Sequence, residues 1–138
     1  QCETRARVGA SSSDALRFSP ETLSASLVVI ALGSNDPRSP KLLRNLDVIR
    51  RRTTASRVVW IAPYNPAASA IVRTVAVTFG DTVVHLDAFR TQDGIHPVSY
   101  SSVAQMVSAP RPTQRSPGAR STSPSAQRLV RQAVVVTF

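Results

Sequence analysis

Apolar positions in this chain follow two rhythms that alternate. Leu27-Val28-Val29-Ile30-Ala31-Leu32 is an unbroken, β-rich run. Such a run suits a strand covered on both faces. Val58-Val59-Trp60-Ile61-Ala62, ended by Pro63, is a second run, and Thr82-Val83-Val84-His85-Leu86 is a third. Arg5-Ala6-Arg7-Val8 reads as a short strand stopping at Gly9. Between these runs the period lengthens. Ser11-Ser12-Ser13-Asp14 offers N-caps ahead of Ala15-Leu16. Ser39-Pro40 supplies a cap and a first-position proline. Leu42, Leu43, Leu46 and Ile49 then make one apolar stripe. Arg50-Arg51-Arg52 close that helix, where positive charge suits the macrodipole. They read as a solvated last turn in preference to a binding patch. Two further helices are expected over 66–78 and 98–108, the latter with Val103, Met106 and Val107 on one stripe. Alternating strands and helices argue a parallel sheet with helices on both faces. Trp60 and His85, inside apolar strands, are expected in the core.

The pattern breaks at Ala109. From there to Ser125 the chain is mostly Pro, Arg, Ser, Thr and Gly, a composition for an extended or disordered arm. The last residues, 133–138, turn apolar and β-branched again and read as a strand that needs a sheet to join. The expected organisation is an α/β domain over 1–108 and an arm over 109–138. A length of 138 residues suits one domain, and 42% hydrophobic residues suffice for a core. No stretch approaches the roughly 18 apolar residues of a membrane span. Gln1-Cys2-Glu3 is neither an initiator methionine nor a signal peptide, so a segment upstream is expected. Cys2, the single cysteine, can form neither an internal disulfide nor a zinc site.

Net charge is +9, and Lys41 is the only lysine. That balance suits acidic partners such as nucleic acid, anionic glycan or a cell envelope. GC-rich coding produces the same arginine bias, and both readings stand. No aromatic-interleaved basic motif or zinc module supports sequence-specific nucleic-acid recognition.

Chemistry concentrates behind the strands. In an open α/β sheet, ligands bind at the carboxyl ends of strands. Gly9, Gly33-Ser34-Asn35-Asp36 and Asp93-Gly94-Ile95-His96-Pro97 each follow a strand-like run, so all can face one cleft. Blander readings exist for each: a turn pair at Asp93-Gly94, a turn and helix cap at Asn35-Asp36-Pro37, a tight turn at Gly9. Asp36 fits an orienting role on the Asn35 loop better than a chemical one.

Taken together, these segments resemble the SGNH (GDSL-like) ester hydrolases. The run 28–36 is similar to that family's strand followed by Gly-x-Asn-Asp. Asp93-Gly94-Ile95-His96-Pro97 with Tyr100 is similar to its Asp-x-x-His block and the following helix. Val8-Gly9-Ala10-Ser11-Ser12 looks like its glycine block. The resemblance spans about 5 to 108 and implies a flavodoxin-like three-layer α/β sandwich. It implies His96 as general base, Asp93 as the carboxylate fixing its tautomer, and Asn35 with the Gly9 N–H as oxyanion donors. It implies no metal and no organic cofactor.

The family's Gly-Asp-Ser block is absent, and none of Ser11, Ser12, Ser13 or Ser34 takes its place in the pattern. Its first, central strand is likewise missing ahead of the glycine block. An empty central slot exposes two rows of unpaired backbone groups. The expected solution is a polypeptide segment outside this chain that supplies strand and serine. A weaker alternative inserts 133–138 as the central strand in permuted order, or pairs it with a neighbouring subunit.

Three functions follow. One is a serine ester hydrolase acting on an acylated carbohydrate, such as a cell-envelope or capsular glycan, or on a small ester. Another is a catalytically inactive SGNH-like structural or binding component of a larger assembly such as a virion, with a partner bound by the arm. The last is generic nucleic-acid binding by the arginine-rich tail. A secreted or virion-associated setting suits the first two.

Overall fold

In the computed structural model, residues 2–110 and 133–137 are described. Five strands form one parallel sheet: β1 (Cys2–Ala6), β2 (Leu23–Ala31), β3 (Thr53–Ala62), β4 (Thr82–His85) and β5 (Ala133–Thr137). Their spatial order is β1-β5-β2-β3-β4. Among the described residues the α-helices are α1 (Ser12–Phe18), α2 (Leu42–Arg51), α3 (Pro66–Phe79) and α4 (Ser101–Ser108). The fold class is α/β, as the alternation implies.

Strand β5 occupies the central slot. It pairs with β1 on one side and β2 on the other, with Val135 opposite Thr4 and Val29. The sheet therefore needs no strand from outside the chain at this position. Most of the intervening arm, 111–132, lies outside the described residues.

Alternate residues of β2 and β3 sort the core into two halves, because successive side chains leave a strand on opposite faces. Val28, Ile30, Val58, Trp60 and Ala62 pack against Ala15 of α1, Leu42, Leu46 and Ile49 of α2, and Val72 and Val75 of α3. Val29, Val59, Ile61 and Val84 face the other way, towards Leu86 and Val103 of α4. Trp60 is fully buried, as expected.

Several expectations need correction. The strand sought at 5–8 runs earlier, over Cys2–Ala6, and Val8 is fully exposed in the turn beyond it. Strands β2 and β3 begin four and five residues before their apolar runs, because their first turns of sequence pair with each other in register, Leu23 with Thr53. Helix α2 begins at Leu42, not at Pro40; Lys41 is its N-cap and makes no side-chain cap. Leu43 is 47% exposed. The buried stripe is Leu42, Asn45, Leu46 and Ile49, the true i, i+3, i+4, i+7 spacing. Likewise α4 begins at Ser101, and Met106 points outward. His85 ends β4 partly exposed instead of sitting in the core.

Arg50 is not a solvated last-turn residue. Its Nε and Nη2 donate to the two oxygens of Asp81 at 2.6 and 2.9 Å, and Trp60 Nε1 donates to the same carboxylate at 2.9 Å. Its guanidinium also lies over the Phe79 ring. The Asp81 side chain is 4% exposed and that of Arg50 16%. Removing one partner of such a pair leaves a poorly hydrated charge, which typically costs 3–5 kcal/mol. Asp81→Ala should therefore lower stability by about 3 kcal/mol in urea unfolding. A loss below about 1 kcal/mol is what an ordinary surface pair would give.

Candidate active site

The loop after β4 is folded around the Asp93 carboxylate. Asp93 Oδ1 accepts the backbone N–H groups of Ile95 at 2.8 Å and His96 at 2.7 Å. This closes a tight turn at Gly94, whose φ of 73° is strained for any residue with a Cβ. Thr91 clasps the turn from behind. Its Oγ1 accepts the Gly94 N–H at 2.9 Å and donates to the His96 carbonyl at 2.7 Å. A bridge between Thr91 and buried Pro97 pins the loop to its own base.

With Oδ1 engaged by the backbone, Oδ2 meets His96 Nδ1 at 2.7 Å. A carboxylate in that position favours the tautomer with its proton on Nδ1. The two side chains are 51% and 63% exposed, so the dyad stands open to solvent. The His96 ring, followed by the His96 and Ile95 N–H groups, holds the Asp93 carboxyl well below the usual carboxylate range. Tyr100, the next aromatic along the chain, has its phenol pushed up by burial and by the Asp93 and Tyr64 charges.

An NMR titration of the side-chain carboxyls checks this. Asp93 should protonate well below the ordinary value of about 3.9, and His96→Ala should move it back up. Because its folded pKa is depressed, the stability Asp93 contributes is complete above about pH 4 and is lost as pH falls through the folded value. Its half exposure keeps that share small.

The loop after β2 comes to the same place. Ser34 lines an apolar cavity of about 290 Å³ together with Ile95, His96 and Tyr100. Ser34 and Pro37 also border a second cleft shared with Thr91 and Gly94. The chain leaves β2 through Gly33 at φ 100°, with Leu42 and Ala68 packed beneath it. Asn35 is exposed, and its Nδ2 donates to the Ala10 carbonyl at 2.9 Å. That bond ties the Asn35 loop to the turn at Gly9, which is exposed with φ 72°. Asp36 secures the same junction: Oδ2 accepts the Ser12 N–H at 3.0 Å and the Ser12 hydroxyl at 2.5 Å. Asn45 of α2 donates in turn to Ser12 and Ser13, both at 2.9 Å.

Asp93 and His96 are thus directly bonded, and Asn35 is bonded to the Gly9 turn. Ser34, next to Asn35 in the chain, lines a cavity with His96, whereas Asn35, Gly9 and Asp93 do not line it. Thr91 and Asn45 were not singled out from the sequence. A threonine two residues before an aspartate and a polar residue inside an apolar helical stripe were the available signals. Among the described residues no serine hydroxyl bonds to the His96 ring, and no group of three or more His, Cys, Asp or Glu is placed to hold a metal. No helix among them is long and apolar enough to cross a membrane. Compared with protein-family models, curated proteins and solved structures, the chain matches none.

Proposed function

We propose that this chain carries the base and oxyanion half of an SGNH-type serine ester hydrolase, completed by a serine-bearing segment outside residues 1–138. The observation that carries the reading is the Asp93–His96 pair. Its carboxylate is fixed by two backbone N–H groups, its Oδ2 meets His96 Nδ1 at 2.7 Å, and His96 lines a cavity together with Ser34 of the Asn35 loop. Acyl transfer needs a base near neutrality and preformed donors for the oxyanion. His96 serves as the first, and the Asn35 amide with the Gly9 N–H as the second. No cofactor takes part. The substrate is an O-acyl ester, on carbohydrate or a small alcohol, and the chain's +9 charge favours an anionic glycan.

The strand order supports a flavodoxin-like sandwich. β1-β5-β2-β3-β4 is the 2-1-3-4-5 order with its first strand moved to the end of the sequence. In the SGNH pattern the serine follows that first strand, which puts its expected position just beyond β5. The test is to extend the chain past Phe138 with a Gly-Asp-Ser segment and follow p-nitrophenyl acetate hydrolysis. The extended chain should turn over ester in a His96-dependent way, whereas 1–138 alone should match its His96→Ala variant. Equal rates for the extended chain and its His96→Ala variant would favour a structural role on this scaffold.

A further inference from the structure

Among the described residues β1 pairs with β5 alone, which leaves its other side an open sheet edge. Cys2, Glu3, Thr4 and Ala6 are exposed there, and Arg5 is half-buried. An open edge is a row of backbone donors and acceptors ready to pair with another chain, and proteins usually blunt it with lysine, proline or a bulge. β1 has no lysine or proline and pairs with β5 without a break in register. It carries instead one charge of each sign, Glu3 and Arg5, on either side of Thr4. The register through β5 puts both on the sheet face of Val28 and Ile30. The two side chains form an ion pair within the chain and are 54% and 38% exposed.

We infer that β1 pairs antiparallel with β1 of a second copy of this chain, joining two five-stranded sheets across a two-fold axis at Thr4. A two-fold interface has to be self-complementary, and Cys2-Glu3-Thr4-Arg5-Ala6 meets that condition. Residues directly opposite in an antiparallel ladder have their side chains side by side; opposite charges there are favourable and like charges unfavourable. With Thr4 opposite its own copy, Glu3 faces the partner's Arg5 and Arg5 faces the partner's Glu3. Each charge then has one opposite neighbour along its own strand and one across the ladder. Centring the ladder on Glu3 sets two glutamates face to face. Centring it on Arg5 sets two arginines face to face and runs off β1 beyond Ala6. A shift of one residue lays Glu3 and Arg5 opposite Thr4, Cys2 or Ala6 and pairs neither charge. The charges thus select one register. The opposite edge strand, β4, is Thr82-Val83-Val84-His85 and holds no such pair. One five-residue ladder is a small interface, and the +9 charge of each copy opposes association. The dimer is therefore weak and reversible, and it does not depend on the hydrolase reading.

Sedimentation equilibrium of the full chain, up to about 1 mM, should show monomer and dimer in exchange. Glu3→Arg and Arg5→Glu should each raise the dissociation constant at least about tenfold, because like charges then lie opposite each other. An equimolar mixture of the two variants should form a mixed dimer as tight as the parent's. Glu3→Arg and Arg5→Glu combined in one chain should restore self-association. Rescue by mixing is a result that damage to the fold of either variant does not produce. Amide hydrogen exchange on the parent needs no substitution and decides the case should a reversal unfold the chain. Exchange at Cys2–Ala6 should slow as concentration rises, while exchange at Thr82–His85 stays constant. A monomer across the whole range would overturn the inference. So would a dimer that both single reversals leave intact, folded single variants that do not associate when mixed, or concentration-dependent protection confined to β4 or α4.

Discussion

Deleting residues 133–138 should abolish the cooperative thermal transition of this protein. β5 is paired along both sides, with five residue pairs to β1 and five to β2. Among the described residues β1 has no other neighbour in the sheet. The deletion therefore removes two of five strands at once and turns the long inner flank of β2 into an edge. Unpaired strand edges also template association with other chains. A domain of this kind has only about 5–15 kcal/mol of stability to lose. Val135→Pro makes the same point with one residue. Its nitrogen has no hydrogen to donate, and proline is not accommodated in a strand paired on both sides. Circular dichroism should show loss of the near-ultraviolet signal of Trp60 and a broad, shallow melt. A sharp melt within a few degrees of the parent would mean that β1 to β4 stand without β5.

The second large effect concerns His96. In a chain extended to carry the serine, His96→Ala should reduce p-nitrophenyl acetate turnover to that of the unextended protein. In serine triads the loss of one central member costs up to the order of 10⁶ in kcat. Asp93→Asn should cost less but still on the order of 10⁴, because the amide no longer holds the productive tautomer. Here its effect has a second source. Asp93 Oδ1 also organises the Ile95 and His96 N–H groups, and the asparagine carbonyl can keep those two bonds. Asp93→Asn thus separates tautomer control from loop geometry, whereas Asp93→Ala removes both. A His96→Ala variant that keeps the full rate of the extended chain would show the dyad to be uninvolved.

Much of the fold was legible because burial on both faces of a strand leaves an unbroken apolar run. Val28 to Ile30 and Val58 to Ala62 announced β2 and β3, though not their polar first halves. Those halves, Leu23 to Ser26 and Thr53 to Arg57, are strands because they pair with each other, and hydropathy does not record pairing. The N-cap of α1 was legible for a different reason. Ser11 and Asp14 satisfy each other locally, with Asp14 N–H on Ser11 Oγ at 3.2 Å and Ser11 N–H on Asp14 Oδ2 at 3.0 Å. The Ser11 hydroxyl, first among its partners, holds the Asp14 carboxyl down at about 2. Leu43 misled because one more leucine beside a stripe looks like part of it, and only the helix register excludes it.

The sequence alone determined the alternation of strands and helices, the change of composition at Ala109, and the turns at Gly33–Asp36 and Asp93–His96 that follow strands. These are local properties: spacing, capping and turn-forming residues act within a few positions. Tertiary structure alone decided that 133–137 closes the sheet at its centre, that Asn35 reaches the Gly9 turn 25 residues away, and that Arg50 is held by Asp81. It also decided that, among the described residues, three helices cover one sheet face and α4 alone packs on the other. The physical reason is that strand order, sheet face and long-range hydrogen bonds are set by which surfaces meet, and a linear pattern carries the surfaces without their partners.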